Sequence, residues 1–209
     1  TTAGNRTVTL TVTDDDGATA RTTQAVTAAP VAAAGITYRD SVGTSARTVT
    51  TVPVTVPATV QAGDGLVLVL STNSDASGAV PAGWSQAGVR TSGTSMTTQV
   101  LTKVAVASDA GSTVSVPLTK QAKVTAQLTA YAGTSWRGPV ASVTAADDTA
   151  GTSHTTPAAT AEAGSWVVSV WSDRSASARS FTAPAAVTTR SNLAGVGSGD
   201  VATLVVDGG

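Results

Sequence analysis

The sequence holds one histidine, His154, one glutamate, Glu162, and no cysteine, so most catalytic constellations are short of parts from the start. A nucleophilic triad needs a base beside an activated hydroxyl. No Gly-x-Ser-x-Gly elbow occurs, and no strand–turn–helix pattern surrounds His154. It lies in the Thr/Ser-rich stretch Gly151–Pro157 and reads as a solvated loop histidine. Zinc draws on several His or Cys ligands, which one histidine cannot furnish. Glycoside hydrolysis needs two carboxylates facing across a cleft. Asp147 and Asp148 are adjacent, so on a strand they would point to opposite faces. Turn chemistry is the plainer reading of such aspartates. The chain is expected to be non-catalytic.

Binding chemistry is better represented. Aromatic faces stack on the C–H surface of sugars, and the same rings fill cores. The four tryptophans are Trp84, Trp136, Trp166 and Trp171. Trp136 lies in the loop-like stretch Gly133–Pro139 beside Arg137, whose guanidinium suits a hydroxyl or carboxylate. Trp84, which follows Pro81-Ala82-Gly83, and Tyr131 complete the candidate ligand-binding set with Trp136 and Arg137. Trp166 and Trp171 are five apart, so on one regular strand they face opposite sides. No cofactor is expected. Calcium is the one ion left open, because extracellular sandwiches hold it with loop oxygens. Its candidate ligands are Asp147 and Asp148 with Thr149, or the contiguous Asp14-Asp15-Asp16, which lack the alternating spacing of a calcium loop.

Composition narrows the setting. The 209 residues carry 12 Lys+Arg against 13 Asp+Glu, a net charge of -1, with 12% charged and 3% aromatic. That balance supplies no basic field for nucleic acid or anionic lipid. The longest aliphatic run, Leu66 to Leu70, is far too short to cross a bilayer, so membrane insertion is not expected. Thr and Val dominate the chain, and both favour a half-buried pleated surface. These features point to a soluble, extracellular or cell-surface, all-β protein. Thr1–Arg6 shows no charged segment followed by an apolar one. If exported, the chain is expected to be a mature or trimmed product.

The elements that must position these residues read as strands. Thr7–Thr13 alternates strictly, with Val8, Leu10 and Val12 on one face and threonines on the other. Asp16-Gly17 supplies turn chemistry, and Ala18–Thr27 reads as the return strand. Thr27–Ala34 is a short Pro-containing linker. From Gly35 about eleven short strands follow, separated by Gly, Asn, Asp, Ser and Pro. They are Ile36–Arg39, Arg47–Val56, Leu66–Ser71, Trp84–Thr91, Thr97–Val106, Thr113–Leu118, Lys123–Tyr131, Val140–Ala145, Trp166–Ser172, Ala186–Arg190 and Val201–Val206. Pro53 and Pro57 each remove a ladder donor, which predicts an edge strand or a break over Arg47–Val56. Leu66–Leu70 is apolar on both faces, which predicts a strand covered on both sides. Trp166–Trp171 has the same two-sided character.

Two resemblances sharpen the reading. Asn5–Asp14 (NRTVTLTVTD), with Gly17 after it, resembles the end of a PKD domain, an immunoglobulin-like sandwich of microbial surface proteins and secreted hydrolases. The match covers about the last third of such a domain. It implies that the chain starts inside one. Either an upstream part was removed, or the hairpin packs on the following domain, or a neighbouring chain completes the sandwich. Further on, Ala62-Gly63-Asp64, Pro81-Ala82-Gly83-Trp84, Leu101–Ala105 and Ala130-Tyr131-Ala132-Gly133 occur in order. They resemble a β-sandwich module of actinobacterial surface proteins and phage tail or fibre proteins. That resemblance implies an accessory or structural role, with the Trp and Tyr packing the sandwich, and one more strand beyond Asp207-Gly208-Gly209.

The expected organisation is therefore residues 1–28 as the C-terminal strands of a PKD-like domain, 29–34 as linker, and 35–209 as a jelly-roll-like antiparallel β-sandwich. The expected role is adhesion or carbohydrate binding on a bacterial surface or secreted protein, with a carbohydrate or cell-surface polymer as partner. The alternatives are a structural subunit of an extracellular fibre or coat, self-associating through strand edges, and an accessory region of a larger secreted enzyme. Val8, Leu10 and Val12 would form the assembly face in the fibre case.

Overall fold

The computed structural model describes residues 4–13, 16–28, 35–134, 142–146, 151–174, 180–195 and 197–208. Contacts divide the chain into two units, Thr1–Ala34 and Gly35–Gly209. Among the described residues every regular element is a strand, and all paired strands are antiparallel. The second unit contains two antiparallel sheets and is an all-β sandwich.

In the first unit β1 (Gly4–Thr13) and β2 (Thr19–Ala28) form a hairpin, in unbroken register from Gly4↔Ala28 to Thr13↔Thr19. Gly17 in the turn has φ 85°, a conformation that glycine reaches without steric cost. Thr9, Thr11 and Thr13 are exposed, as the alternation predicts. Val8, Leu10 and Val12 pair with Gln24, Thr22 and Ala20, and their side chains lie outside the described residues.

Among the described residues the second unit has eight strands: β3 (Thr37–Thr55), β4 (Gly65–Thr72), β5 (Ser85–Ser92), β6 (Met96–Val104), β7 (Thr113–Ala132), β8 (Val167–Arg174), β9 (Thr188–Leu193) and β10 (Val201–Gly208). The larger sheet runs β3-β7-β4-β6-β5 and the smaller β8-β10-β9. The position of β4 in the middle of five strands accounts for its two-sided apolar sequence: Leu66, Leu68, Val69 and Leu70 are all buried. Pro53 of β3 fits the strand's place at the sheet edge, Pro57 lies just beyond the strand's end, and β3 also carries breaks in register.

The apolar core lies on one face of the larger sheet. Alternation puts Val124, Ala126, Leu128 and Ala130 of β7 beside Leu66, Leu68 and Leu70 of β4 and Leu101 of β6. Register shifts between Ala46 and Val49 and between Val49 and Thr51 let the far halves of β3 and β7 bring Val52, Val54 and Val116 into the same cluster, which Val56 joins just past the end of β3. Burying a Leu or Val side chain contributes about 1.5–3 kcal/mol each, so this cluster is the main source of cohesion in the unit. Gln99 closes one side. Its amide receives Gly78 N at 2.9 Å and donates to Gly78 O at 3.1 Å, clamping the loop over the core.

The opposite face of the same sheet is far more polar, and it is buried along β7 and at Val69 and Ser71 of β4. Thr125, Gln127 and Thr129 of β7 and Ser71 of β4 are 0–2% exposed and face the smaller sheet. Thr125 Oγ1 lies 2.7 Å from Thr203 Oγ1, Gln127 Nε2 donates to Thr203 O at 2.9 Å, and Ser71 Oγ lies 2.8 Å from Ser172 Oγ. The hydroxyls of Ser71 and Thr125 thus exchange their lost water for a partner on the other sheet, which is the condition for burying them.

Several strand boundaries differ from expectation. Ile36–Arg39 and Arg47–Val56 are one strand, β3, because Gly43-Thr44-Ser45 is not a turn. Gly43 is there for space: a Cβ on it would sit 2.9 Å from Leu193 Cδ1 of the smaller sheet. Likewise Thr113–Leu118 and Lys123–Tyr131 are one strand, β7, passing through an irregular stretch opposite β3. Residues 142–146 carry no strand, and Val140 and Ala141 lie outside the described residues.

Candidate functional site

Two charged clusters close the seam between the sheets, at opposite ends of the β7–β10 contact. Along β7 from Lys123 to Tyr131, the partners run from Asp200 to Asp207.

At the Tyr131 end, strand alternation sends the ring into the seam, where it is 3% exposed. Its hydroxyl donates to Asp207 Oδ2 at 2.9 Å, and Arg190 Nε reaches the same oxygen at 2.7 Å. Arg190 lies beside the β9 register irregularity, and its guanidinium carbon sits 4.1 Å from the centroid of the Tyr38 ring. Tyr38 and Trp166 meet Tyr131 edge-on, with centroids 6.3 and 6.1 Å away. Burial, reinforced by the Asp207 charge, pushes the Tyr131 hydroxyl well above the ordinary phenol range. The hydrogen bond to Asp207 raises Arg190 further still. A buried carboxylate is costly alone, so Asp207 depends on these two donors. This cluster is a lock between sheets.

At the Lys123 end lies an open cleft of ≈ 140 Å³ lined by Ser45, Arg47, Lys123, Gly195, Asp200 and neighbours. Between the pairs Ala46↔Val124 and Val49↔Ala122, two residues of β3, Arg47 and Thr48, stand opposite the single Lys123. That is a β-bulge, a device that re-aims side chains and bends a strand. Thr48 absorbs the extra residue at φ 59°, the one non-glycine with positive φ among the described residues. The left-handed conformation costs an L residue about 1–2 kcal/mol. Gln121 Nε2 donates to Thr48 O at 3.3 Å and holds it there. Arg47 Nη1 donates to Asp200 Oδ2 at 2.9 Å, while Lys123 Nζ lies 3.4 Å from Asp200 Oδ1 and also donates to Ser198 O. The turn Gly197–Asp200 sets the carboxylate, through Asp200 N to Gly197 O at 3.1 Å, and a Cβ on Gly197 would collide with the Arg47 guanidinium.

The residues singled out by sequence fall differently. Trp84 is 7% exposed and belongs to the apolar core. Tyr131 is buried with its hydroxyl engaged, so neither ring offers a platform to solvent. Trp136, Arg137, Asp147 and Asp148 lie outside the described residues, as do Asp14 and Asp15. His154 is exposed, its Nε2 3.2 Å from Gly151 O. Glu162 is exposed and its carbonyl accepts from Ser165 N in a turn. Trp166 and Trp171 are half-buried. Arg47, Lys123 and Asp200 were not singled out, and 153 positions separate Arg47 from Asp200. The local signal was the Gly-Ser-Gly turn ahead of Asp200. Nothing in the sequence named its partners.

No family model, curated protein or solved structure matches this chain.

The Tyr131 lock has a pH signature. A hydroxyl whose folded pKa is raised contributes stability in full below the unfolded tyrosine value of about 10, and loses it as pH rises further. Tyr131→Phe should cost about 1.5–3 kcal/mol at neutral pH, the range for a hydrogen bond to a charged group. It should also flatten the loss of stability above about pH 10. Urea unfolding of both proteins from neutral to alkaline pH checks this; identical slopes would contradict the lock.

Proposed function

We propose that this chain is a non-catalytic, extracellular β-sandwich module for adhesion or carbohydrate binding on a bacterial surface or secreted protein. The observation that carries the reading is the cleft at the Lys123 end of the seam. There a bulge with Thr48 at positive φ brings Ser45, Arg47 and Lys123 to the lining of one cleft between β3, β7 and the turn ahead of β10. Donors on a rigid scaffold beside open space suit recognition of polyhydroxylated or anionic polymers. The PKD-like identity of the first hairpin and the jelly-roll-like character of the second unit belong to this proposal. So does the contribution of Trp136 and Arg137 as a stacking and hydrogen-bonding pair, and of loop-bound calcium at Asp147 and Asp148.

A second reading, a structural subunit of a fibre or coat, is favoured by the first hairpin. Among the described residues β1 and β2 have only each other as ladder partners, and a two-stranded ribbon is marginal alone. A strand from a neighbouring copy added to either edge would complete it, with Val8, Leu10 and Val12 as the apolar face.

Light scattering after size exclusion separates the two. A discrete monomer near 20.4 kDa at every concentration supports the binding module, and concentration-dependent polymers or a closed ring support assembly. For the module, a glycan array should give a ligand whose binding Trp136→Ala abolishes with little change in melting temperature. Undiminished binding would remove Trp136 as the platform.

A further inference from the structure

We infer that the Arg47–Lys123 cleft is a subsite for a single sugar carboxylate, presented by a uronate-bearing polysaccharide. The inference rests on the binding-module reading above and names the chemistry of its ligand. Charge comes first. Among the described residues Arg47 and Lys123 face one carboxylate, Asp200, which leaves one positive charge in excess. Asp200 is 7% exposed and fixed by its turn, so it holds the two cations in place, while Arg47 remains 46% exposed. A guanidinium has five N–H donors in a planar fork. Among the described residues only Nη1 of Arg47 is committed, which leaves donors for a second, incoming carboxylate.

Size decides how much of a ligand enters. A cleft of ≈ 140 Å³ is well below the roughly 300–1,000 Å³ that encloses a whole small molecule. It has room for a substituent, with Arg47 and Lys123 in its lining, while the ring stays outside. β3 is an edge strand, so a polymer has room to run past it. The net charge of -1 supplies no field to gather a polyanion, which favours recognition of one charge at a time over nucleic acid. The backbone adds an independent sign. The chain tolerates a β-branched residue at positive φ at the one place where Arg47 and Lys123 are brought side by side, and such strain concentrates at functional positions.

The test uses the full chain, ¹⁵N-labelled, titrated with sodium glucuronate, with its uncharged methyl ester and with sodium sulfate. Glucuronate should shift the amides of Ser45, Arg47, Lys123 and Val201 saturably, with the ester at least about tenfold weaker. Raising the salt from about 20 to 500 mM should weaken the acid form. Arg47→Gln and Lys123→Gln should each weaken glucuronate by roughly tenfold. Arg47→Lys keeps Asp200 neutralised but removes the fork, and should weaken binding in a protein whose spectrum stays folded. Equal binding of acid and ester, no saturable shift below about 100 mM, or undiminished binding in all three variants would overturn the proposal. A response to sulfate without one to glucuronate would overturn the carboxylate assignment. A neutral glycan whose binding is lost in Trp136→Ala and unchanged in Arg47→Gln would reject this subsite and leave the module reading intact. A glucuronate response with no polysaccharide ligand on the array would reject the polymer instead.

Discussion

The larger sheet of the second unit has to be buried on both faces, and its two faces meet that demand with different chemistry. One is hydrocarbon, where Leu66, Leu68, Leu70, Leu101 and Leu128 pack under the far halves of β3 and β7. The other is hydroxyl and amide, where Ser71, Thr125 and Gln127 meet Ser172 and Thr203 of the smaller sheet. Apolar packing is non-directional and tolerates sliding, whereas buried hydroxyls hold their stability only with partners in place. The polar face therefore fixes how the two sheets sit on one another.

Everything charged at the seam follows from that alignment. With Thr203 set against Thr125 and Gln127, the strand directions carry Asp207 to Tyr131 at one end and Asp200 to Lys123 at the other. The first meeting is closed: Arg190 and Tyr131 both donate to Asp207 Oδ2, and Tyr38 and Trp166 pack against the Tyr131 ring. The second is open, because the bulge at Arg47 and Thr48 opposes two residues to one and leaves a cleft at the sheet edge. One closed and one open ion cluster on the same pair of strands divides the work: the Tyr131 end holds the sheets, and the Lys123 end faces solvent.

Much of the scaffold was legible in the sequence, since strand signals are local. The alternation of Thr7–Thr13, the turn at Gly17, the doubly apolar Leu66–Leu70 and the edge signal of Pro53 all correspond to what forms. Where local signals misled, a distant contact was the reason. Gly43 looks like punctuation until Leu193 is seen resting on it. Trp84 carries two readings, a ligand platform and a core filler, and the core takes it. The site was legible only in kind. Arg137 beside Trp136 is a guanidinium that local sequence can nominate, whereas Arg47, Lys123 and Asp200 meet only once β7 and β10 are superposed. No periodicity encodes that meeting.

The claim that the polar seam aligns the sheets is tested most directly by a double-mutant cycle on Thr125→Val and Thr203→Val, read by urea unfolding. Each single change leaves a buried hydroxyl with its main partner gone and should cost about 1–3 kcal/mol. The double variant should cost less than the sum by at least about 0.5 kcal/mol, because it removes both hydroxyls together. Additivity within about 0.3 kcal/mol would mean that the two threonines do not depend on each other, and the seam would not be what holds the sheets in register.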